Sequence, residues 1–196
     1  AIARLAKSLG VGVYRGSVDD VLDRYYQAAK ETGADTIVRI TGDCPVMDPR
    51  VIDQCVSVYK KNHFDYVNNA NPPTFPDGMD VEVFSFKALE KAWQKARKAS
   101  EREHVTAFMR AGGFQTANVT NEIDVSSVRL TVDEERDVQL ISKLLEFFTA
   151  QGNPDFGLQD ITLLWHKCRD FFKDNQNIRR NEGYEHSLAQ EDKYHA

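Results

Sequence analysis

Long hydrophobic runs, metal-binding cysteine clusters and an excess of positive charge are all lacking in this sequence of 196 residues. No apolar run approaches the roughly 20 residues that a membrane-spanning helix needs, and we expect no signal peptide. The three cysteines, Cys44, Cys55 and Cys168, lack metal-ligand spacing, so we expect reduced thiols in the cytoplasm. The net charge of −5 disfavours nucleic acid and membranes as main partners.

Several common ligand-binding motifs are also missing. Gly10 and Gly12 lack the third glycine of a dinucleotide fingerprint, and the sequence holds neither a Gly-Lys-Ser/Thr phosphate loop nor a nucleophile elbow. What remains is an ordinary globular composition, with 41% hydrophobic and 28% charged residues. The length suits one domain with an appendage, and we expect an α/β domain over residues 1–175 and a polar tail over 176–196.

Helical and strand patterns alternate through the first third of the chain, which favours a parallel sheet covered by helices on both faces. The prolines and the glycine within residues 69–78 predict a long loop or lid. The patterns predict strands at 11–14, 36–41, 80–84, 114–120 and 127–132. They predict helices at 1–9, from Ser17 to Gly33, from Pro49 onward, and at 87–98, 101–110, 134–150 and 158–172.

Two aspartates each follow a predicted strand. Asp43 comes after the strand at 36–41, and Asp133 comes after the strand at 127–132. Because the carboxyl ends of parallel strands share one edge, the two side chains can converge, and such a pair suits Mg²⁺, which leans on substrate oxygens. Each also has a structural alternative, since Asp43 can bond the amides of its own turn and Asp133 can cap the following helix.

Other polar residues have two open interpretations, as ligand-binding groups or as ordinary structural residues. The acidic side chains near the proline-rich loop can form a solvated strand face. The arginines can bind a phosphate or lie on the surface, and the histidine can bind a sugar or be satisfied within its helix. These residues are Asp77, Asp80, Glu82, Arg15, Arg24 and His104.

Eight motifs stand in an order that resembles the cytidylyltransferase-like family of spore-coat polysaccharide biosynthesis. This family is related to the synthetases that activate sialic acid and 3-deoxy-manno-octulosonate as CMP sugars. The motifs are YRGS at 14–17, DVLDR at 20–24, VRITGDCP at 38–45, YVNN at 66–69, FPDGMDVEVF at 75–84, EHVT at 103–106, LTVD at 130–133 and RNEGY at 180–184.

The resemblance implies a three-layer α/β/α sandwich with a mostly parallel sheet, of the nucleotide-diphospho-sugar transferase type. It also implies transfer of CMP from CTP to a sugar acid for surface polysaccharide synthesis, with release of pyrophosphate. Asp43 and Asp133 would hold Mg²⁺. The remaining roles implied are nucleotide binding by Arg15, Gly16, Ser17, Arg24 and Asp43, and acceptor binding by Asp80, Glu82 and His104.

The sequence departs from this family at its start. Family members begin with a strand and a loop rich in Gly, Arg and Lys that cradles the triphosphate, and neither precedes Ala1. We therefore expect an N-terminally truncated fold, impaired CTP binding and an open sheet edge at the strand before Asp43. The alternative is a non-catalytic binding or assembly module that forms a homodimer through that edge.

Overall fold

The computed structural model describes residues 1–180 and 182–194, and it confirms the α/β class. In chain order the helices are α1 (Ile2–Ser8), α2 (Val21–Thr32), α3 (Pro49–Asn62), α4 (Phe86–Lys95), α5 (Ala99–Glu103), α6 (Ala107–Arg110), α7 (Glu135–Ala150), α8 (Leu158–Lys167) and α9 (Glu182–Tyr194), with a 3₁₀ helix at Arg169–Asn175 between the last two. The strands are β1 (Thr36–Arg39), β2 (Tyr66–Asn68), β3 (Glu82–Ser85) and β4 (Thr116–Asn118).

The chain folds into two compact units. The first unit comprises Ala1–Ile37, Ser85–Phe114 and the residues from Gly183 onward, and the second comprises Val38–Phe84 and Gln115–Glu182. Within the described ranges, 1–180 and 182–194, no helix is both long and apolar enough to cross a membrane. The stretch expected as a polar tail includes the helix α9, and residues 181, 195 and 196 lie outside the described residues.

The first unit is helical and is organised around α2. Asp20 caps this helix by accepting a hydrogen bond from the Asp23 amide at 2.9 Å, and Gly33 ends it in the left-handed conformation at φ 66°. The ring of Tyr26 stacks on Trp93 of α4 with centroids 4.1 Å apart, and the Trp93 indole donates to Asp23 at 2.8 Å. These contacts fix α2 against α4.

The strands form one sheet in the order β1-β3-β2-β4. β2 runs antiparallel to β3, with Val67 opposite Val83, and parallel to β4, with Val67 opposite Ala117. In the second unit the chain buries one apolar core, which includes Val67, Phe75, Met79, Val83, Leu130, Leu144, Ile161 and Phe172. Burial of these side chains is the main favourable term in the folding of this unit.

Several sequence expectations about local structure are correct. The helix from Pro49 begins as predicted, because the Asp48 side chain accepts from the Arg50 amide at 2.9 Å and Pro49 occupies the first turn. The strands predicted at 36–41, 80–84 and 114–120 are present in shortened form as β1, β3 and β4.

Other expectations are wrong. Residues 11–14 are irregular and exposed, and 127–132 form only an isolated bridge through Arg129 to Asp77. The helix predicted at 101–110 is broken into α5 and α6, because Val105 has a φ of 55° between them. Asp20, and not Ser17, caps α2. Val138 and Leu145, which are apolar residues of α7, are nevertheless 49% and 45% exposed.

Candidate functional site

Asp43 follows β1 in the turn that leads to α3 in the second unit. Its carboxylate accepts a hydrogen bond from the Thr131 hydroxyl at 3.0 Å, and its carbonyl accepts from the Val132 amide at 2.9 Å. Partial burial raises the pKa of Asp43, but hydrogen bonds from Thr41 and Thr131 outweigh it and hold that pKa below its usual range. The side chain is therefore an anion at neutral pH, held beside the segment that leads to Asp133.

Asp133 lies at the end of that segment. Its side chain is 55% exposed and accepts a hydrogen bond from Nη2 of Arg129 at 2.7 Å. The capping alternative is wrong for this residue, because Glu134 occupies the N-cap position of α7. The Asp137 carboxylate satisfies the amides of Asp133 and Glu134 at 3.1 and 3.0 Å. The Asp133 carboxylate is consequently not needed for capping.

Arg129 is the centre of an acidic network that sequence reasoning missed. Its side chain is 7% exposed and donates to Asp77 at 3.1 Å, to Asp133 at 2.7 Å and to Asp137 through both Nε and Nη2 at 3.0 and 2.9 Å. Burial raises the pKa of Asp137, but bonds from Arg129 and Asn175 hold it well below its usual range.

Asp80 forms a second ion pair in the same unit. Its carboxylate accepts from Nη2 of Arg180, whose Nη1 donates to the Phe75 carbonyl at 3.1 Å. Burial raises the pKa of Asp80 to about 6, although Arg180 acts in the opposite direction. The interpretation of Asp77 and Asp80 as a solvated strand face is wrong, because both carboxylates are paired with arginines. Arg180 stands in the RNEGY motif, which was its only signal.

Glu82 is buried on β3 and has two partners in the second unit. Oε1 accepts from the Tyr66 hydroxyl at 2.5 Å, and Oε2 pairs with Arg39 at the end of β1. The residue is 6% exposed, so the solvated interpretation is wrong for it too. The contacts link β1, β3 and β2 across the sheet.

His104 lies in the first unit, in the break between α5 and α6. Its Nε2 is 3.1 Å from the Ser187 hydroxyl, which in turn donates to Glu103 at 2.9 Å. The edge of its ring meets Tyr184 of α9 with centroids 4.9 Å apart. The role of His104 toward an acceptor stays a prediction.

The predicted nucleotide-binding residues before β1 also belong to the first unit. Arg15 is exposed, and the Ser17 hydroxyl accepts from the amides of Asp19 and Asp20 at 3.2 Å. Gly16 packs closely on Arg24, since a Cβ at Gly16 would lie 2.7 Å from the Arg24 Cγ. The structure therefore brings Gly16 and Arg24 together, and their nucleotide roles stay predictions.

The carboxylates of Asp43, after β1, and Asp133, before α7, suit a magnesium ion that takes most of its ligands from substrate and water. Among the residues that the structure describes, no group of three or more His, Cys, Asp or Glu side chains could hold a metal. Mg²⁺ is commonly bound by one or two carboxylates plus phosphates, which is a donor set that Asp43 and Asp133 can supply. The lowered pKa of Asp43 favours the charged form that a cation needs.

A cleft of about 200 Å³ opens beside the Arg129 network in the second unit. Asp77, Arg129 and Arg180 contribute its charged groups. Hydroxyl, amide and apolar groups from Ser126, Ser127, Gln176 and Ile178 complete the lining. The cleft therefore offers hydrogen-bond donors and acceptors to a small polar molecule.

The structure defines an α/β protein with carboxylates in the turn after β1 and in the segment before α7, and comparison with known proteins specifies its family. A family model described as cytidylyltransferase matches residues 1–163. A solved structure of a cytidylyltransferase from Leptospira borgpetersenii superposes with a TM-score of 0.81 at 32% identity, covering 91% of this chain and 74% of that one. The chain therefore belongs to the cytidylyltransferase family.

Two curated relatives also match the chain. An uncharacterized protein of Methanocaldococcus jannaschii is 41% identical over 156 residues, covering 76% of this chain and 61% of that protein. The spore coat polysaccharide biosynthesis protein SpsF of Bacillus subtilis is 26% identical over 171 residues, covering 82% and 67%. The chain thus spans less than two thirds of the archaeal relative. The family resemblance seen in the sequence is confirmed by the family model, the solved structure and SpsF.

Proposed function

We propose that this protein is a nucleotidyltransferase of the CMP-sugar synthetase type, which transfers CMP from CTP to a sugar acid for surface polysaccharide synthesis. One observation carries the proposal within the family: the hydrogen bonds from Thr131 and Val132 hold Asp43 beside the segment ending in Asp133. Two carboxylates, one in the turn after β1 and one in the segment before α7, suit a metal–triphosphate substrate.

In this proposal Asp43 and Asp133 hold Mg²⁺, which when bound neutralises charge on the triphosphate and on the leaving pyrophosphate. Thr131 keeps the Asp43 carboxylate in one orientation through its 3.0 Å hydrogen bond. Arg129 does the same for Asp133 through its 2.7 Å contact, and its own charge is shared with Asp77 and Asp137. These hydrogen bonds preorganise the two carboxylates before the substrate binds.

The other proposed roles follow the family motifs. Arg15, Gly16, Ser17 and Arg24 would contact the nucleotide, and an arginine suits a phosphate because its planar fork can donate two hydrogen bonds. The family motifs also give Asp80, Glu82 and His104 proposed roles in binding the acceptor sugar.

The test is Mg²⁺-dependent pyrophosphate release from CTP in the presence of a panel of 2-keto sugar acids. Asp43→Asn should lower the rate about a hundredfold or more, because metal charge stabilisation supplies several kcal/mol. Asp53→Asn is the matched control, since Asp53 is exposed on α3 and the change in charge is identical. Equal rates for both variants would refute the role of Asp43, and no release with any acceptor would refute the proposed reaction.

Calorimetric titration of CTP with and without Mg²⁺ measures the nucleotide step alone. The expectation that CTP binding by this chain is impaired stays a prediction, and this titration measures it directly. Binding that requires Mg²⁺ supports the proposal, whereas binding that ignores the metal contradicts it.

A second candidate is an assembly module that forms a homodimer, favoured by the position of β1 at an edge of the sheet. Edge strands present unpaired backbone groups that can pair with another chain, and Val38 on this strand is 39% exposed. Analytical ultracentrifugation at micromolar concentration tests it. A dimer that Val38→Lys dissociates would support pairing through β1, and a monomer would refute it.

A further inference from the structure

The segment of residues 175–180, which we call the C-terminal strap, is anchored at both ends in the second unit. At its start the fully buried Asn175 donates to the Arg129 carbonyl at 3.2 Å and to Asp137 at 2.9 Å. At its end Arg180 reaches the loop that precedes β3. The strap therefore touches the two arginine-centred groups of carboxylates described above.

Arg180 donates hydrogen bonds to two acceptors on that loop and lies near the charge of a third group. Nη1 donates to the Phe75 carbonyl at 3.1 Å, Nη2 pairs with the Asp80 carboxylate, and Nε lies 3.9 Å from Asp77. The Arg180 side chain is only 14% exposed. A planar guanidinium can serve several acceptors in fixed directions, whereas a lysine ammonium acts as a point charge. The contacts thus tie the two ends of the stretch from Phe75 to Asp80 to one side chain.

Asp77 connects this arginine to the other. It accepts from Nη1 of Arg129 at 3.1 Å while lying near Arg180, and Arg129 also binds Asp133. Charges of alternating sign therefore run from Asp80 through Arg180, Asp77 and Arg129 to Asp133. Opposite charges within contact distance favour one another strongly when they are shielded from water.

We infer that Arg180 is a positioning residue, which holds the loop from Phe75 to Asp80 and orients the Asp80 carboxylate toward the acceptor. The strap is then the element that sets the spacing between the acceptor side and the metal side of the site. The loop-holding part stands on the contacts alone, and the acceptor part rests on the proposed function.

The charge on Asp80 depends on the groups that face it. Among the described residues, Arg180 favours the charged form of Asp80, whereas Asp77 and Glu82 oppose it, and the Cys44 thiol also faces this carboxylate. Removing Arg180 leaves the carboxylate among like charges, so Asp80 should protonate at higher pH than in the native protein. If activity needs ionised Asp80, the acid limb of the pH–activity profile would then shift to higher pH.

The first experiment follows hydrogen exchange of peptides covering 75–80 in the full chain without ligand. Arg180→Gln should speed exchange of the Asp77 and Met79 amides, which bond Val128 and Pro76, by roughly tenfold or more. Arg179→Gln is the matched control, because Arg179 is exposed one residue away and the charge change is the same. Unchanged exchange in Arg180→Gln would overturn the inference whatever the protein's activity.

A second variant distinguishes loss of this ion pair from general destabilisation of the fold. Asp80→Asn breaks the same ion pair from the other side and should also speed exchange across 75–80. In the double variant with Arg180→Gln the two effects should not add, because both remove one interaction. Full additivity of the two effects would overturn the inference.

The kinetic experiment tests orientation of the acceptor group. Arg180→Gln should raise KM for the acceptor roughly tenfold to a hundredfold and move the acid limb of the pH profile upward, with kcat changing less. Arg180→Lys should restore the pH profile but only part of KM. An unchanged KM and pH profile would refute the orienting role. If the native chain uses no acceptor while exchange still responds to Arg180→Gln, the proposed function fails and loop holding stands.

Discussion

The residues with predicted ligand roles in the two units are held in different ways. Asp43, Asp80 and Asp133 each accept a hydrogen bond from another side chain of the second unit, and the loops that carry them bond one another. Arg15 and Ser17 lie in an exposed, irregular stretch of the first unit, where Ser17 bonds only nearby amides among the described contacts. The carboxylates are thus preorganised, whereas Arg15 would lose side-chain entropy when it binds a ligand.

Removal of Arg129 should have the largest effect on stability. Arg129→Met leaves Asp77, Asp133 and Asp137 without this cation, and losing one partner of a buried charge cluster costs about 3–5 kcal/mol of unfolding free energy. Urea denaturation followed by circular dichroism measures the loss.

The control for this variant is Arg136→Met. Arg136 pairs with Glu134 at 2.7 Å, but the two side chains are 42% and 47% exposed, so the change should cost about 1 kcal/mol or less. Similar losses in the two variants would show that the acidic edge is not a buried, interdependent cluster.

Substitution of Gly78 is the next test, because the loop that carries Asp77 and Asp80 packs closely against the backbone of the segment that leads to Asp133. Gly78 has a φ of +95°, and a Cβ there would lie 2.6 Å from backbone atoms of Leu130 and Thr131. Gly78→Ala should therefore destabilise the chain by roughly 2–5 kcal/mol through backbone strain and overpacking. Thermal unfolding measures the effect.

Gly33→Ala separates strain from packing. Gly33 ends α2 with a φ of +66°, and no described neighbouring atom lies within 4 Å of a Cβ placed there. Its substitution should cost only about 1–2 kcal/mol, the conformational part alone. Equal losses at the two glycines would refute the close approach of the loops.

The raised pKa of Asp80 predicts a dependence of stability on pH. Burial raises the pKa from 3.8 to about 6, so the folded state binds the proton more tightly than the unfolded state. The stabilisation is fully present below pH 4 and is lost as the pH rises through 6. Relative to Asp80→Asn, the native chain should lose roughly 1–3 kcal/mol across this window.

Chemical denaturation at pH 4, 5, 6 and 7 measures the difference between the two proteins. Asp124→Asn is the control with the opposite sign, because hydrogen bonds from Ser126 lower the pKa of the exposed Asp124. The small stabilisation that ionised Asp124 provides should increase as the pH rises, whereas the stabilisation from protonated Asp80 should decrease. A difference between native and Asp80→Asn chains that is independent of pH would contradict the assignment.

The sequence predicted elements that local signals define. Asp48 and Pro49 mark the start of α3, and Gly33 marks the end of α2 by its freedom at positive φ. Residues 127–132 were misread because their pattern resembles a strand, whereas their backbone bonds Asp77 and Asp43 at isolated points and forms no continuous strand pairing. Val105 was missed because nothing in the sequence signals a β-branched residue at positive φ.

The sequence marked Asp43 and Asp133 as candidate ligands, roles that stay predictions, but it did not indicate the buried contacts of Arg129 and Arg180. Asp43 and Asp133 follow apolar segments, so position alone marked them. Arg129 and Arg180 pair with residues 52 and 100 positions away, Asp77 and Asp80, and no local pattern reports such contacts. The sequence also did not reveal burial: Asp77 and Asp80 were expected on a solvated strand face, but both are paired with those arginines.

The smallest stability effect is expected at Arg15, where the comparison is sharpest. Because Arg15 is exposed in irregular chain, Arg15→Ala should change the unfolding free energy by no more than about 0.5 kcal/mol. If Arg15 binds the triphosphate, the same variant should weaken Mg·CTP binding roughly tenfold, which calorimetry measures. Arg4→Ala, at another exposed arginine of the first unit, provides a control for charge. Equal CTP affinity in both variants would remove Arg15 from the nucleotide site, whereas a large loss of stability in Arg15→Ala alone would show that this stretch is as firmly held as the acidic edge.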